Sequence, residues 1–325
     1  MLDDDAFESE LMAPPQSAPE SGNVADLAAT AAALGLTASA QDFEDASLIG
    51  TLEGTTGFYD PDDDVLYVRG TTWTPLVETT VVHELVHALQ DQQADLAALT
   101  EATRDYDESW SALSALLEGE ASFVESAYLA EQDVAFSDEL VAEQDRLWAD
   151  VPSDPFADAL GALPYDLGWE AVDRLYADGG PEAFAEALQR PPTTLEQLWL
   201  VEDWAGGAPE TADPVELDYP LAPTGTRVVD RGALGAHVLA MLPLTADELY
   251  WLEDGPLDGW AGDAYTTWRQ GSGSHRETCT TVDVRTDGDE AAAEVAERLE
   301  PWVDDGGEVS IGQGGVVTLT RCTAS

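Results

Sequence analysis

Residues 79–92 read TTVVHELVHALQDQ, a run that carries His83 and His87 four residues apart and Glu84 directly after the first histidine. On a helix, side chains four residues apart lie one above the other on the same face. Two histidines in that relation can each direct a ring nitrogen at one tetrahedral zinc ion, about 2.0–2.1 Å away. The spacing therefore predicts a helix that supplies two zinc ligands, with Glu84 beside the ion rather than bound to it.

The helical wheel of residues 81–93 separates the two histidines from the apolar side chains. Val82, Leu85 and Leu89 fall on the opposite side of the wheel, and Asp91 continues the row of histidines. We expect the histidines to lie away from an apolar, core-facing side, which argues against histidines that merely fill the core. For Asp91 we expect either a contact that supports a histidine from behind the metal or an ordinary solvated charge.

The combination of a zinc ion and Glu84 indicates hydrolysis. Zinc lowers the pKa of a water in its open position to about 7, and a carboxylate beside that water can take its proton. A catalytic zinc also needs a third protein ligand, and ALLEGEASFVES (115–126) offers Glu118 and Glu120. Glu120 falls among apolar positions of its wheel, where a carboxylate needs a partner. It is therefore predicted to be either a ligand or a group that holds one of the histidines.

These two stretches resemble the gluzincins, the zinc metallopeptidases that combine HExxH with a glutamate. HELVHALQD is similar to their HELxHxxxD helix, and EGEASFVE to the EGFASYVE segment of the zinc aminopeptidase branch. The resemblance implies that Glu118, before the glycine, is the third ligand, with Glu120 as its rival. Thermolysin-like enzymes carry an aspartate four residues after this glutamate, where the present sequence has Ser122. It also implies a zincin-like α+β fold, Zn²⁺ as cofactor, a peptide or protein substrate, and Glu84 as general base and then proton donor.

The wider pattern resembles an uncharacterised group of haloarchaeal surface proteins. They share the HELxHALQDQ and ALxEGEA segments, the acidic composition, and the shorter stretches GFYDP, PPTT and GWAGD. This resemblance implies an extracellular or cell-surface location. It also leaves a second hypothesis open, a structural or binding protein that keeps a zinc-stabilised zincin fold without catalysis. Glu84 favours the enzyme, because a structural zinc does not need that residue.

The composition indicates a folded protein from a salt-rich environment. There are 66 acidic residues against 12 basic ones, all of them arginine, for a net charge of −54, yet 44% of residues are hydrophobic. Mutual repulsion on such a surface is tolerable in molar salt, where the Debye length falls to about 3 Å. A surface this anionic excludes nucleic acid as a partner.

The sequence has no apolar run of about eighteen residues, so no transmembrane helix is predicted. Residues 1–23 lack the basic and apolar regions of a signal peptide and are predicted to form a flexible acidic tail. We therefore expect either that the protein is cytoplasmic or that the given sequence begins after its export signal. We expect a mainly helical zincin-like region over 24–204, a connection over 205–230, and a C-terminal α+β subdomain over 231–325.

Local signals predict several secondary-structure elements. In the first region, we expect a β-hairpin, a helix that begins with Thr74 and Pro75, and further helices at 24–36, 107–132 and after the capping box TTLE (193–196). Breaks in the helical signal are expected at Pro164, at GGP (179–181) and at RPP (190–192). In the C-terminal subdomain, we expect helices at 231–242 and 289–299, a strand at 278–286 and a hairpin at 308–322. The predicted hairpin of the first region covers residues 55–70.

Four further residues are candidates for function. Tyr165 and His237 are the types that steady an oxyanion in zinc peptidases, although core packing would also explain both. Cys279 opens one strand-like run and Cys322 closes another, so the two side chains are expected to be able to meet across a sheet. They form either a disulfide or two thiols, and the export implied by the resemblance favours the disulfide. His275, in a glycine- and serine-rich stretch, is expected on the surface.

Overall fold

The structure is a computed structural model that describes residues 1–13, 24–103, 107–207, 214–249, 255–272 and 276–324. Over these residues the fold is mixed α+β, as the sequence predicts, with helices dominating the first two thirds. A single antiparallel hairpin interrupts these helices, and an antiparallel sheet of five strands follows them. None of the helices in the described part of the chain is both long and apolar enough to span a membrane.

The first part of the chain packs helices around the hairpin. The hairpin strands are β1 (Gly57–Asp60) and β2 (Val65–Val68), with Gly57 opposite Val68. The helices are α1 (Asp4–Leu11), α2 (Val24–Leu34), α3 (Ala40–Gly54), α4 (Pro75–Ala94), α5 (Leu96–Thr103), α6 (Asp107–Leu129), α7 (Val134–Trp148), α8 (Pro155–Gln189), α9 (Leu195–Trp199) and α10 (Val201–Gly206).

Local chemistry explains where several of these helices begin and end. Thr74 caps α4 by accepting a hydrogen bond from the amide of Val77, and Pro75 occupies the first helical turn, as predicted. The helix α2 ends before Gly35, whose φ of +82° is a conformation that glycine adopts without a steric cost. The hairpin predicted over 55–70 is also confirmed.

The second part of the chain forms an antiparallel sheet in the order β3-β4-β5-β7-β6, with helices packed on it. The expected strand, helix and hairpin after residue 277 are all present. The elements are β3 (Arg227–Gly232), α11 (Gly235–Met241), α12 (Ala246–Leu249), β4 (Trp260–Gln270), β5 (Glu277–Thr286), α13 (Asp289–Arg298), α14 (Glu300–Asp304), β6 (Glu308–Ile311) and β7 (Val316–Ala324).

A disulfide joins the neighbouring strands β5 and β7. Their antiparallel register places Cys279 directly opposite Cys322, with the two Cα atoms 4.0 Å apart, and the sulfur atoms are bonded. Cys279 is fully buried, whereas Cys322 is exposed, so the bond is not enclosed by the core. The two cysteines therefore hold together strands that are 43 residues apart in sequence.

The N-terminus differs from the flexible tail that we predicted for residues 1–23. Asp3 caps α1 by accepting a hydrogen bond from the amide of Ala6, and Leu2 forms a β-bridge with Arg69. Phe7 is fully buried and its ring lies 5.7 Å from that of Phe58 in the hairpin. Residues 1–13 are therefore part of the fold, because one aromatic anchor fixes the helix; residues 14–23 lie outside the described part.

Three predicted boundaries are also wrong in detail. Helix α8 continues through Pro164, where a break was predicted, whereas its bend at Gly180, with a φ of +66°, and its end at Gln189 agree with the other two predicted breaks. The predicted capping box is shifted by one residue, because Thr194 rather than Thr193 accepts a hydrogen bond from the amide of Gln197. Strand β3 begins inside the connection expected over 205–230 and continues into the start of the helix expected over 231–242.

One hydrophobic core runs through both parts of the chain. It includes buried side chains from α2, α6, α8 and α11 together with those of β5 and β7. Helix α2 packs on the sheet, where the hydroxyl oxygens of Thr30 and Thr267 lie 2.8 Å apart. Trp302 donates a hydrogen bond from its ring nitrogen to the carbonyl of Leu34 at 2.7 Å. The expected division at 205–230 does not coincide with a break in this core.

Helices α6 and α8 cross very closely, and glycine makes this approach possible. A Cβ atom built on Gly119 would overlap the backbone of Gly168, and one on Gly168 would overlap the carbonyl of Ala115. The separation of two packed helices depends on the side chains at their contact, and at the closest point of this crossing two of the facing residues are glycines. The crossing is adjacent to Glu118 and therefore sets the position of α8 relative to the candidate site.

Candidate metal centre

The side of α4 that carries the histidines faces the interior, contrary to the wheel-based expectation. Leu85 and Leu89 are 51% and 55% exposed, whereas Glu84 and Gln90 are 6% and 0% exposed. The prediction that an apolar side of α4 faces the core is therefore wrong. Helix α4 instead packs this polar side against α6, whose carboxylates supply partners for the histidines.

His83, His87 and Glu118 come together between α4 and α6. The Nε2 atoms of the two histidines lie 3.0 and 3.6 Å from the same carboxylate oxygen of Glu118. One ligand atom from each residue lies within 4.8 Å of the other two. Ligands placed about 2.0–2.1 Å from a tetrahedral zinc ion are separated by about 3.4 Å. The spacing of the three donors thus fits a small tetrahedral ion.

Each histidine also contacts a side-chain oxygen through Nδ1, the ring nitrogen that points away from Glu118. The Nδ1 atom of His83 lies 3.1 Å from a carboxylate oxygen of Glu125, and that of His87 lies 2.9 Å from the side-chain oxygen of Gln90. In the neutral imidazole, an oxygen acceptor at Nδ1 favours the proton on that nitrogen and leaves Nε2 with the lone pair that a metal ion would need. Both imidazoles are therefore oriented, in ring position and in tautomer, with Nε2 towards the shared centre.

Glu120 has a role different from that of Glu118. It is 7% exposed, and it accepts hydrogen bonds from the hydroxyl of Tyr176 at 2.7 Å and from the amide of Gln90 at 3.0 Å. The same amide also donates to the carbonyl of Leu117. Glu120 thus fixes the orientation of the Gln90 side chain that contacts His87, and it is Glu118 that joins the histidines.

Asp91 satisfies neither of the two expectations from the sequence. Its carboxylate accepts a hydrogen bond from the hydroxyl of Tyr59 at 2.9 Å and another from the amide of Leu96 at 2.8 Å. The first contact ties α4 to strand β1, and the second caps the start of α5. Asp91 is therefore a structural residue of the helix ends rather than a support for a histidine.

Glu84 lies on the buried side of α4 beside the hairpin. Burial raises the pKa of Glu84, against the opposing effect of the two nearby histidines and of a hydrogen bond from the backbone of Tyr59. A Cβ atom on Gly57 would come within 3.2 Å of the Glu84 side chain, so the glycine leaves room for it. The result is a carboxylate that shares the interior with the donor cluster and is held by the edge of β1.

The charges of the three donors depend on one another. Burial alone lowers the pKa of His83 and of His87, but their hydrogen bonds to Glu118 outweigh it and raise both pKa values. Burial acts in the opposite direction on Glu118, and the contacts with both histidines lower its pKa overall. Without a metal the cluster is therefore an ion pair in which protons occupy the place of a cation.

Tyr165 and His237 occupy very different places. The ring of Tyr165, on α8, lies 6.4 Å from that of His83 and is partly exposed. Burial, followed by the charges of Glu118 and Glu84, raises the pKa of Tyr165, so its hydroxyl keeps its proton. His237 is instead 2% exposed, packs beside the ring of Trp199, and is not part of the donor cluster.

Burial lowers the pKa of His237 to about 4, so it is a neutral core residue. The last of the four histidines, His275, lies outside the described residues.

Sequence reasoning missed Glu125 and Gln90 as the partners of the histidines. Glu125 follows Glu118 by seven residues, which is two helical turns on the same face, and Gln90 follows His87 by three. These spacings were the available signals. Comparisons of the chain with protein-family models, with curated proteins and with solved structures found no match.

Proposed function

We propose that this chain is a zinc-dependent hydrolase of the gluzincin type, with a zincin-like catalytic region and peptide bonds as its substrate class. The observation that carries the proposal is the meeting of His83, His87 and Glu118 around one point, with Glu84 buried beside them. A merely structural ion would not require that fourth, non-ligating carboxylate.

The donor set is the chemical reason for choosing zinc. Two imidazole nitrogens and one carboxylate oxygen are the ligands of several catalytic zinc sites, and they leave a fourth tetrahedral position open. When bound, zinc supplies acidity to a water and polarises a substrate carbonyl. The cluster is also poised for a dication, because Glu118 already attracts two positive imidazoles in the protein without metal.

Glu84 is the residue that we assign to proton transfer. Its burial raises the pKa towards the working range of a general base, so the carboxylate can both accept and release a proton. In amide hydrolysis it first accepts a proton from the attacking water and then donates one to the leaving nitrogen. Tyr165 keeps its proton and is partly exposed, so its hydroxyl is our choice for a donor to the carbonyl oxygen of the substrate.

We also propose an extracellular or cell-surface location. The disulfide between Cys279 and Cys322 supports it, because such bonds persist in oxidising compartments. The acidic composition agrees with a chain that meets external salt directly.

The experiment is the substitution Glu84→Gln, measured for metal content and for cleavage of a peptide library in molar potassium chloride. Wild type is expected to carry about one zinc per chain. The variant should keep the zinc and the melting temperature, while the cleavage rate falls by about 10²–10⁴. A matched control is Glu131→Gln, which removes an equal charge from an exposed position.

Two outcomes would contradict the proposal. Cleavage that is unchanged in Glu84→Gln would show that the activity does not use this site. Wild type that binds zinc but cleaves no peptide would favour a zinc-stabilised surface protein without catalysis.

A further inference from the structure

A second feature of the molecule lies at one end of the five-stranded sheet, apart from the metal ligands. Residues 225–227 at the start of β3, residues 269–271 at the end of β4 and Arg276 before β5 line an open cavity of about 330 Å³. Three arginines line it, Arg227, Arg269 and Arg276. The whole chain has 12 basic residues against 66 acidic ones, so a quarter of its cations lie at one cavity.

The strand register places two of these arginines on the same face of the sheet. Arg227 on β3 is directly opposite Arg269 on β4, and directly opposite residues point to the same side. Arg276 directly precedes β5, whose first residue, Glu277, is opposite Gln270 on β4, so Arg276 lies at the same end of the sheet and lines the same cavity. Like charges directly opposite each other destabilise a sheet. Sheet formation therefore does not account for this arrangement.

No carboxylate neutralises the three guanidinium groups within the described part of the chain. The arginine ion pairs found there belong to Arg69, Arg174 and Arg321. The acidic neighbour Glu277 is held by the side chain of Gln270 at 2.9 Å instead. In a protein so rich in acidic residues, three arginines without a carboxylate partner at one cavity suit the binding of an anion from solution.

We propose that this cavity is a binding site for an oxyanion, namely a phosphate or sulfate group, either free or carried as an ester on a small molecule. A guanidinium presents two parallel N–H groups that match two oxygens of such a group, and several guanidiniums can share one tetrahedral anion. The cavity is at the lower end of the range for small-molecule sites, about 300–1,000 Å³. A single small ester fits this volume.

High salt, which the fold is expected to need, also affects how the cavity selects an oxyanion. At about 1 M salt the Debye length is about 3 Å, so the surrounding carboxylates no longer repel an approaching anion. The remaining attraction is the direct, bidentate hydrogen bonding that spherical chloride cannot reproduce.

The test is calorimetric titration of the full chain in molar potassium chloride with three probes, inorganic phosphate, inorganic sulfate and glucose 6-phosphate. Saturable binding of at least one probe is expected. Arg269→Gln should weaken it by about tenfold or more, the loss expected for one charged hydrogen-bonding partner. Arg190→Gln is the matched control, since it removes the same charge from the exposed end of α8. It should bind as wild type does.

The comparison of probes identifies the source of the oxyanion. Tighter binding of glucose 6-phosphate would indicate an ester ligand, and equal binding of phosphate would indicate the free anion. Arg276→Gln, outside the regular strands, repeats the test if Arg269→Gln fails to fold. The proposal is overturned if no probe binds saturably, or if the cavity variants bind as tightly as wild type.

Discussion

Glu125 offers the most informative test of how the candidate metal centre is built. Its carboxylate oxygen lies 3.1 Å from Nδ1 of His83, whereas His87 is held by the neutral Gln90 at 2.9 Å. Partners of this kind typically change metal affinity by about 10–100-fold when they are removed. Glu125→Gln keeps an oxygen acceptor and loses the charge, so we expect a loss near the lower figure. Glu125→Ala loses both and should approach the higher one.

The assay is competition for zinc against a chromophoric chelator at constant pH in molar salt. Glu131→Gln controls for the change in net charge, because that residue is exposed. Glu118→Ala should lose zinc altogether, since it removes a ligand rather than a support. If Glu125→Ala binds zinc as tightly as wild type while Glu118→Ala does not, the contact with His83 has no role in orienting the ligand.

The pH dependence of zinc binding gives the same reasoning a second readout. Hydrogen bonds to Glu118 and Glu125 raise the pKa of His83, so zinc must displace a proton from the histidine. Affinity should therefore rise with pH until this proton is lost. Glu125→Gln should shift that rise to lower pH, because it removes one of the charges that hold the proton. An unshifted profile would contradict the role of Glu125.

Three further predictions concern the stability of the fold. Burial, then Asp287 and Asp258, raise the pKa of Glu196 to about 7, so wild type loses stability as pH rises from about 4.5 through 7. Glu196→Gln should thus gain about 1–3 kcal/mol near pH 8 and nothing near pH 4 in urea melts, and an equal gain at both would refute this. Reducing the bond between Cys279 and Cys322 should cost up to about 4 kcal/mol, checked by melts with and without reductant; identical melts of verified reduced protein would contradict it. Lowering salt to about 0.1 M lengthens the Debye length to about 10 Å, so the melting temperature should fall. An equal or higher value would refute the salt-adapted interpretation.

Short-range signals were sufficient where the deciding atoms are neighbours in sequence. Thr74 and Pro75 define the start of α4 because the capping hydroxyl and the amide that it accepts from are three residues apart. Gly35 ends α2 because its own backbone conformation requires it. None of these features depends on what lies across the core.

The orientation of α4 was not predictable in this way, because a partner helix determines it. Counting apolar residues assigns Leu85 and Leu89 to a buried side, yet both are exposed. The polar side is stable in the interior only because Glu118 and Glu125 on α6 form hydrogen bonds with it. The wheel of one helix contains no information about such partners. The same limit explains α1, where burial of Phe7 overrides an acidic composition that indicates disorder.

The glycine of the EGEA stretch links the fold to the site. Gly119 directly follows the proposed ligand Glu118, and any side chain there would overlap α8 at Gly168. Tyr165 precedes Gly168 by three residues, which is about one helical turn, so it lies on the same face of α8 as the crossing. The close approach of the two helices therefore brings the hydroxyl of Tyr165 near the cluster that contains Glu118. The glycine beside the proposed ligand thus allows a second helix to approach the candidate metal centre, so the EGEA stretch combines a proposed ligand with a contact between helices.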